Sequence, residues 1–270
     1  MSLIEIIVLA LLQGFTEFLP VSSSAHLILL PIFVGWQDQG LAFDLALHLG
    51  SLIAVLAYFR ADLWNIARDL AASFAGRGVS ANARLGWAVA LGTIPVGLAG
   101  LAFKPIVETT LRTPEIGALV MAFGLIFFGL LLGLADWRFR GERTVEQMGW
   151  KDVAVIGFAQ ALALIPGTSR SGITMTAGLF LGMSREAASR FSFLLSIPVT
   201  ALAILLKLLD LFEPGAVVDW QALGLGTLCS AIAAYLCIHY FLAFIRRIGM
   251  QPFVLYRLLL GGLLLWLFWP

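Results

Sequence analysis

The sequence predicts an all-α integral membrane protein of six transmembrane helices plus two re-entrant helical hairpins in an inverted-topology repeat. Three observations carry this. Hydrophobic residues make up 60% of the 270 and charged residues only 12%, against about 25% charged in a soluble domain. Apolar runs of about 20 residues suit spanning helices rather than barrel strands. Two further apolar stretches are each broken in the middle by a polar island. The net charge of +1 gives no reason to expect a nucleic-acid partner.

The first stretch, 3–33, is apolar at both ends and holds the island Gln13-Gly14-Phe15-Thr16-Glu17-Phe18-Leu19-Pro20-Val21-Ser22-Ser23-Ser24-Ala25-His26. Neither half crosses a hydrocarbon core of roughly 30 Å. Broken helices are tolerated at membrane depth only where protein buries them or a wet cavity adjoins them, so a re-entrant hairpin is expected. Full spans follow at 43–59, 86–103 and 116–135. Stretch 153–182 is broken by Pro166-Gly167-Thr168-Ser169-Arg170-Ser171-Gly172 and is the second expected hairpin; spans at 191–209, 221–244 and 253–269 complete the chain. The N-terminus lacks the basic region of a cleaved signal peptide, so internal spans are expected to drive insertion. Cys229 and Cys237 share one span and, about 12 Å apart along a helix axis, are packing residues too distant for a disulfide.

Basic residues orient the path. The 60–84 loop carries Arg60, Arg68, Arg77 and Arg84, and the 136–151 loop carries Arg138, Arg140, Arg143 and Lys151. Segment 210–220 has Asp210, Glu213 and Asp219 and no cation, while Lys104 and Arg112 offset Glu108 and Glu115 in segment 104–115. Placing the basic loops in the cytoplasm gives a consistent path only if both broken stretches return to their starting side. Each half is then a hairpin followed by three spans, and an odd number of spans inverts the second half. The expected organisation is one membrane domain, with repeat 1 at about 1–135 and repeat 2 at about 150–270. Pro20-Val21-Ser22-Ser23 aligns with Pro166-Gly167-Thr168-Ser169. Inverted repeats bring broken helices together near the midplane, so the islands are expected to share a pocket. Trp36, Trp64, Trp137, Trp150, Trp220 and Trp269 lie near span ends, as interfacial belts do.

Ionisable groups at membrane depth are costly and usually functional. Gln13 and Glu17 are spaced i,i+4 and share a helix face; their oxygens suit a partly hydrated Mg²⁺ or Ca²⁺ that also touches phosphate. Pro20 breaks the helix, and Ser22, Ser23 and Ser24 supply capping hydroxyls for the next one. His26 lies a helical turn beyond Ser22 and Ser23, where its imidazole is a candidate base for a serine nucleophile. In the second island Gly167 lets the backbone turn closely, and the following helix N-terminus favours an anion. Arg170 adds a bidentate fork, with Thr168, Ser169 and Ser171 as further donors. Asp44 and His48 are spaced to pair with each other, and His239 reads as a packing residue.

These residues resemble the undecaprenyl-diphosphate phosphatases of the bacitracin-resistance type. Gln13 and Glu17 fit that family's Glu/Gln-x-x-x-Glu element, and Pro20 to His26 resembles its Pro-Val-Ser-Ser-x-x-His element. Pro166 to Thr174 fits Pro-Gly-x-Ser-Arg-Ser-x-x-Thr, which adds Thr174 to the phosphate-binding set. The resemblance covers essentially the whole chain. Gln13 stands where many members have Glu, and Ser24-Ala25 replaces a common Thr-Gly. The resemblance implies hydrolysis of undecaprenyl diphosphate in the bacterial inner membrane, at a site opening to the periplasm and often in a homodimer. Its partners are the prenyl diphosphate lipid and the surrounding membrane lipids. On this reading Glu17 and Gln13 hold the cation, Arg170 clamps phosphoryl oxygens, and Ser23 attacks with His26 as base. Direct attack by His26 or by a metal-bound water is the alternative within that class. A transporter or flippase of a phosphorylated prenyl lipid is the rival from another.

Overall fold

The structure, a computed structural model, describes residues 1–109, 114–208 and 219–269. Among these the regular structure is helical, with no strand beyond one bridge between Arg143 and Met183. The helices are α1 Leu3–Phe18, α2 Ser23–Val34, α3 Gly40–Tyr58, α4 Arg60–Phe74, α5 Ala81–Thr109 and α6 Pro114–Leu134, then α7 Trp150–Ala161, α8 Arg170–Phe180, α9 Arg185–Leu208, α10 Trp220–Arg247 and α11 Gln251–Phe268. Six are long and apolar enough to cross a membrane: Gly40–Tyr58, Ala81–Phe103, Gly117–Phe139, Arg185–Lys207, Trp220–Arg247 and Gln251–Phe268. Each falls on an expected span.

Local chemistry sets the boundaries. Ser2 and Glu5 form a capping box that starts α1. Leu19, forced extended (ψ 146°) by the proline behind it, ends that helix. Gly35 closes α2 in the left-handed conformation, and the Asp219 carboxylate caps α10 through the amides of Gln221 and Ala222. The 60–84 segment, read as a loop, contains α4. Its Asp69 accepts from Ser80, Asn82 and Arg68 and pins the connection to α5.

Helix α10 packs against α1 and α3, α11 against α6, and α5 against α7. Small residues permit the close approach: a Cβ on Gly14 of α1 would lie 2.6 Å from the Ser230 carbonyl of α10. The segments expected on the cytoplasmic side are joined at one end of the bundle. Arg185 grips buried Asp136 through Nε at 2.5 Å and Nη2 at 2.9 Å, Arg190 pairs with Asp62 and Glu146, and Arg246 pairs with Glu186. Arg143 spans Asp152 and the carbonyls of Leu181 and Gln147. Burial pushes the Asp152 carboxyl up, but hydrogen bonds from Arg143 and the Gly149 amide outweigh it and leave the group below its usual range. Most of the connections at 104–115 and 210–220, including Asp210 and Glu213, falls outside the described residues and side chains.

Candidate active site

Each polar island contains a serine with positive φ. Ser22 has φ 72° and Ser169 has φ 68°, and no other non-glycine residue among those described does. Such backbone costs on the order of 1–3 kcal/mol and persists only where its surroundings enforce it. Gly167 (φ 85°) prepares the second turn, and a side chain there would run into the Met121 carbonyl of α6. In each island the strained serine directly precedes a helix, α2 or α8. The positive-φ serines, Ser22 and Ser169, thus lie two and three residues after Pro20 and Pro166, one residue out of register from the alignment made on those prolines.

The residues that open those helices, Ser23 and Arg170, meet on one carboxylate. Ser23 Oγ donates to Glu17 Oε2 at 2.6 Å, and Arg170 Nη2 donates to Glu17 Oε1 at 2.9 Å across 153 residues of sequence. The expected convergence of the islands is present at these three side chains. Glu17 is 9% exposed and Arg170 13%. His48 Nε2 from α3 lies 3.7 Å from Glu17 Oε2. Its Nδ1 is on the Asp44 carbonyl, so His48 faces Glu17 while the Asp44 carboxylate is held by Gln39.

His26 makes no hydrogen bond to Ser23. Its Nδ1 is 2.7 Å from the Ser22 carbonyl and its Nε2 is 2.5 Å from the Tyr256 hydroxyl of α11. The expected Ser23–His26 hydrogen bond is replaced by Ser23–Glu17 because the left-handed Ser22 turns the Ser23 side chain toward α1.

Of the remaining polar residues of the islands, all but the exposed Ser24 are buried against protein. Ser169 Oγ accepts from the Gly172 amide, capping α8, and lies 3.2 Å from Ser171 Oγ. Ser171 donates to the Leu19 carbonyl and so ties the islands together. Thr174 bonds the Arg170 carbonyl and Ser192 Oγ. Buried Ser22 Oγ lies 3.3 Å from Oγ of the exposed Ser24. Thr168 is fully buried with its hydroxyl unpartnered.

The oxygens that a cation would need do not converge on the Gln13–Glu17 pair. Gln13 Oε1 accepts from Ser51 at 2.9 Å and Ser230 at 2.7 Å, which leaves its amide nitrogen toward Glu17 at 3.4 Å. Among the described residues no three His, Cys, Asp or Glu side chains are grouped to hold a metal ion. Glu17 fits as a single ligand; Gln13, in this orientation, does not.

Sequence reading placed the span of α11 but missed its site-facing residues, Tyr256 and Arg257. Arg257, within a span, is fully buried and donates to the carbonyls of Leu125, Pro20, Gly124, Gly167 and Thr168 at 2.9–3.2 Å. It therefore reaches both islands and α6 at once. A lone arginine inside an otherwise uncharged span was the available signal.

An acid, a hydroxyl and a guanidinium thus meet inside the helical bundle of a multi-pass membrane protein. The chain belongs to the bacitracin resistance protein BacA family, which it matches over residues 6–263. It is 59% identical over 271 aligned positions to undecaprenyl-diphosphatase 2 of Stutzerimonas stutzeri, covering 99% of each chain. It is 56% identical to the undecaprenyl-diphosphatase of Nitrosococcus oceani, over 99% of this chain and all of that one. With that of Marinobacter nauticus the identity is 50% over 98% of each.

Proposed function

We propose that this chain is a membrane undecaprenyl-diphosphatase. It hydrolyses undecaprenyl diphosphate to undecaprenyl phosphate and inorganic phosphate, returning the lipid carrier to cell-envelope synthesis. The observation that carries this is the meeting of Ser23 and Arg170 on Glu17 in a chain whose full-length relatives bear that activity in their names.

The proposed chemistry follows from those contacts. Glu17 accepts the Ser23 proton as Oγ bonds to the distal phosphorus, and the bridging P–O bond breaks to release undecaprenyl phosphate. Once protonated, Glu17 attracts Arg170 less, and the guanidinium turns to the phosphoryl oxygens, where it stabilises the charge that develops. Glu17 then returns its proton to Ser23 Oγ as water attacks the phosphoserine and the P–Oγ bond breaks; the proton lost by the water passes through Glu17 to solvent as phosphate leaves, which restores the carboxylate. Glu17 replaces His26 as the proposed base because it is the group within reach of Ser23. A divalent cation, Mg²⁺ or Ca²⁺, held by Glu17 and the substrate's own oxygens would neutralise diphosphate charge.

The proposal extends to topology. Stretches 3–33 and 153–182 are read as re-entrant hairpins of an inverted repeat within one membrane domain, supported by the matching strained serines and by the helices that begin there. The ion-paired basic end is cytoplasmic on the positive-inside rule, the site opens to the periplasm of the inner membrane, and the assembly is a homodimer, as the family resemblance implies. Cysteines placed at 77 and 219 are expected to label from opposite sides.

Phosphate release from undecaprenyl diphosphate by purified protein, with and without a chelator, tests the function. Movement of the lipid across vesicles with no phosphate released would overturn it.

A further inference from the structure

The tautomer of His26 is fixed by its partners. A carbonyl only accepts, so Nδ1 carries a proton and donates to the Ser22 carbonyl. In the neutral ring Nε2 then holds the lone pair, and the Tyr256 hydroxyl donates to it at 2.5 Å. The two rings lie parallel, 7° apart in tilt, with centroids 5.6 Å apart. Both ring nitrogens are thus engaged, and neither faces Ser23. The carbonyl that His26 holds belongs to Ser22, the residue with φ 72°. That turn is what delivers Ser23 Oγ to Glu17.

We propose that Tyr256 is a positioning residue of the active site, acting through His26 as a brace that keeps Ser22 left-handed and Ser23 on Glu17. The chain of contacts runs Tyr256 hydroxyl, His26 imidazole, Ser22 carbonyl, strained turn, Ser23 hydroxyl. His26 works here as a donor of fixed geometry rather than as a base. Tyr256 sits on α11 beside Arg257, which bonds the Pro20 carbonyl at the start of the same turn. One helix turn therefore secures the first island at two points.

The inference rests on the Ser23–Glu17 reading and is tested separately from it. Tyr256→Phe keeps the ring and removes the hydroxyl. Loss of one hydrogen bond predicts a fall of about three- to tenfold in kcat, with KM unchanged. It also predicts a shift of the His26 Nε2 ¹⁵N resonance toward that of an unbonded imidazole nitrogen. His26→Asn places an amide donor near the old Nδ1 and should retain at least about tenfold more activity than His26→Ala, and adding Tyr256→Phe to His26→Ala should have no further effect. Equal inactivity of the Asn and Ala variants would make His26 a base and overturn the brace. So would wild-type kcat in Tyr256→Phe with an unmoved Nε2 resonance. A fully active Ser23→Ala variant would instead remove the chemistry on which the inference rests.

Discussion

Ser23 Oγ donates to Glu17 Oε2 at 2.6 Å, while His26, three residues on along the same helix, has its ring nitrogens on the Ser22 carbonyl and the Tyr256 hydroxyl. The contact makes Glu17 the acceptor for the serine proton. Glu17→Gln keeps the shape and removes the base, and should lower kcat by about 10²–10⁴. Ser23→Ala should abolish phosphate release. Both variants should remain folded, since the Arg257 contacts and the Ser171–Leu19 bond that join the islands are untouched. Trapping of phosphate on the wild-type protein, but not on Ser23→Ala, checks the nucleophile directly.

Arg170 holds the other Glu17 oxygen. A planar fork can keep one nitrogen on Glu17 while presenting another to phosphate; an ammonium cannot reproduce that geometry. Losing a contact that strengthens as charge develops reduces rate by about 10²–10³. Arg170→Lys should fall well below wild type in kcat, and Arg170→Ala further. Since Arg170 also compensates a buried carboxylate, Arg170→Ala should recover stability when combined with Glu17→Gln. Melting temperatures of the single and double variants measure this coupling.

The spans were legible because a full-length apolar run has one solution in a bilayer, and all six stand where hydropathy put them. The islands were legible because ionisable groups at depth stand out against an apolar background. Which members touch was not. The swap of His26 for Glu17 as the partner of Ser23 depends on one positive φ at Ser22, and nothing in the serine run marks which of the three takes it. Gln13 was read by its spacing from Glu17, whereas its oxygen is claimed by Ser51 and Ser230 on other helices. Such contacts are set by tertiary packing, which local periodicity does not encode.

Gln13 supplies a test of the cation. Gln13→Glu places a second carboxylate beside Glu17, where the amide nitrogen now lies 3.4 Å away. Like charges at that depth repel unless a proton or cation lies between them. The variant should therefore melt lower than wild type in chelator and recover with Mg²⁺ or Ca²⁺, while wild type responds less. A variant indifferent to both conditions would show that no cation shares Glu17.

The Asp152–Arg143 pair gives a pH signature away from the membrane-spanning helices. The folded-state pKa of Asp152 lies below its ordinary value. Its contribution is thus present above the unfolded carboxylate value of about 3.9 and is lost as pH falls through the lowered folded value. Asp152→Asn should melt below wild type near neutral pH. The difference between the two should shrink as the buffer is taken below about pH 4, which thermal unfolding in detergent would record.

Arg257 should govern stability rather than the chemical step. Its guanidinium satisfies the carbonyls of Pro20, Gly167 and Thr168, which lie in turns, and those of Gly124 and Leu125 in α6. Hydrogen bonds from a charged donor contribute roughly 1.5–3 kcal/mol each, and orphaned buried carbonyls add a desolvation penalty. Arg257→Met should therefore destabilise by about 3 kcal/mol or more and separate the two islands. Arg257→Lys carries three donors where Arg carries five, so it should fall between Met and wild type in melting temperature. Among molecules that remain folded, the Lys variant should show a lower kcat with little change in KM, because Ser23 and Arg170 are misplaced relative to each other while the apolar surface that receives the lipid is intact. A well-expressed Arg257→Met protein with wild-type melting and turnover would show that the turns hold their geometry without the guanidinium.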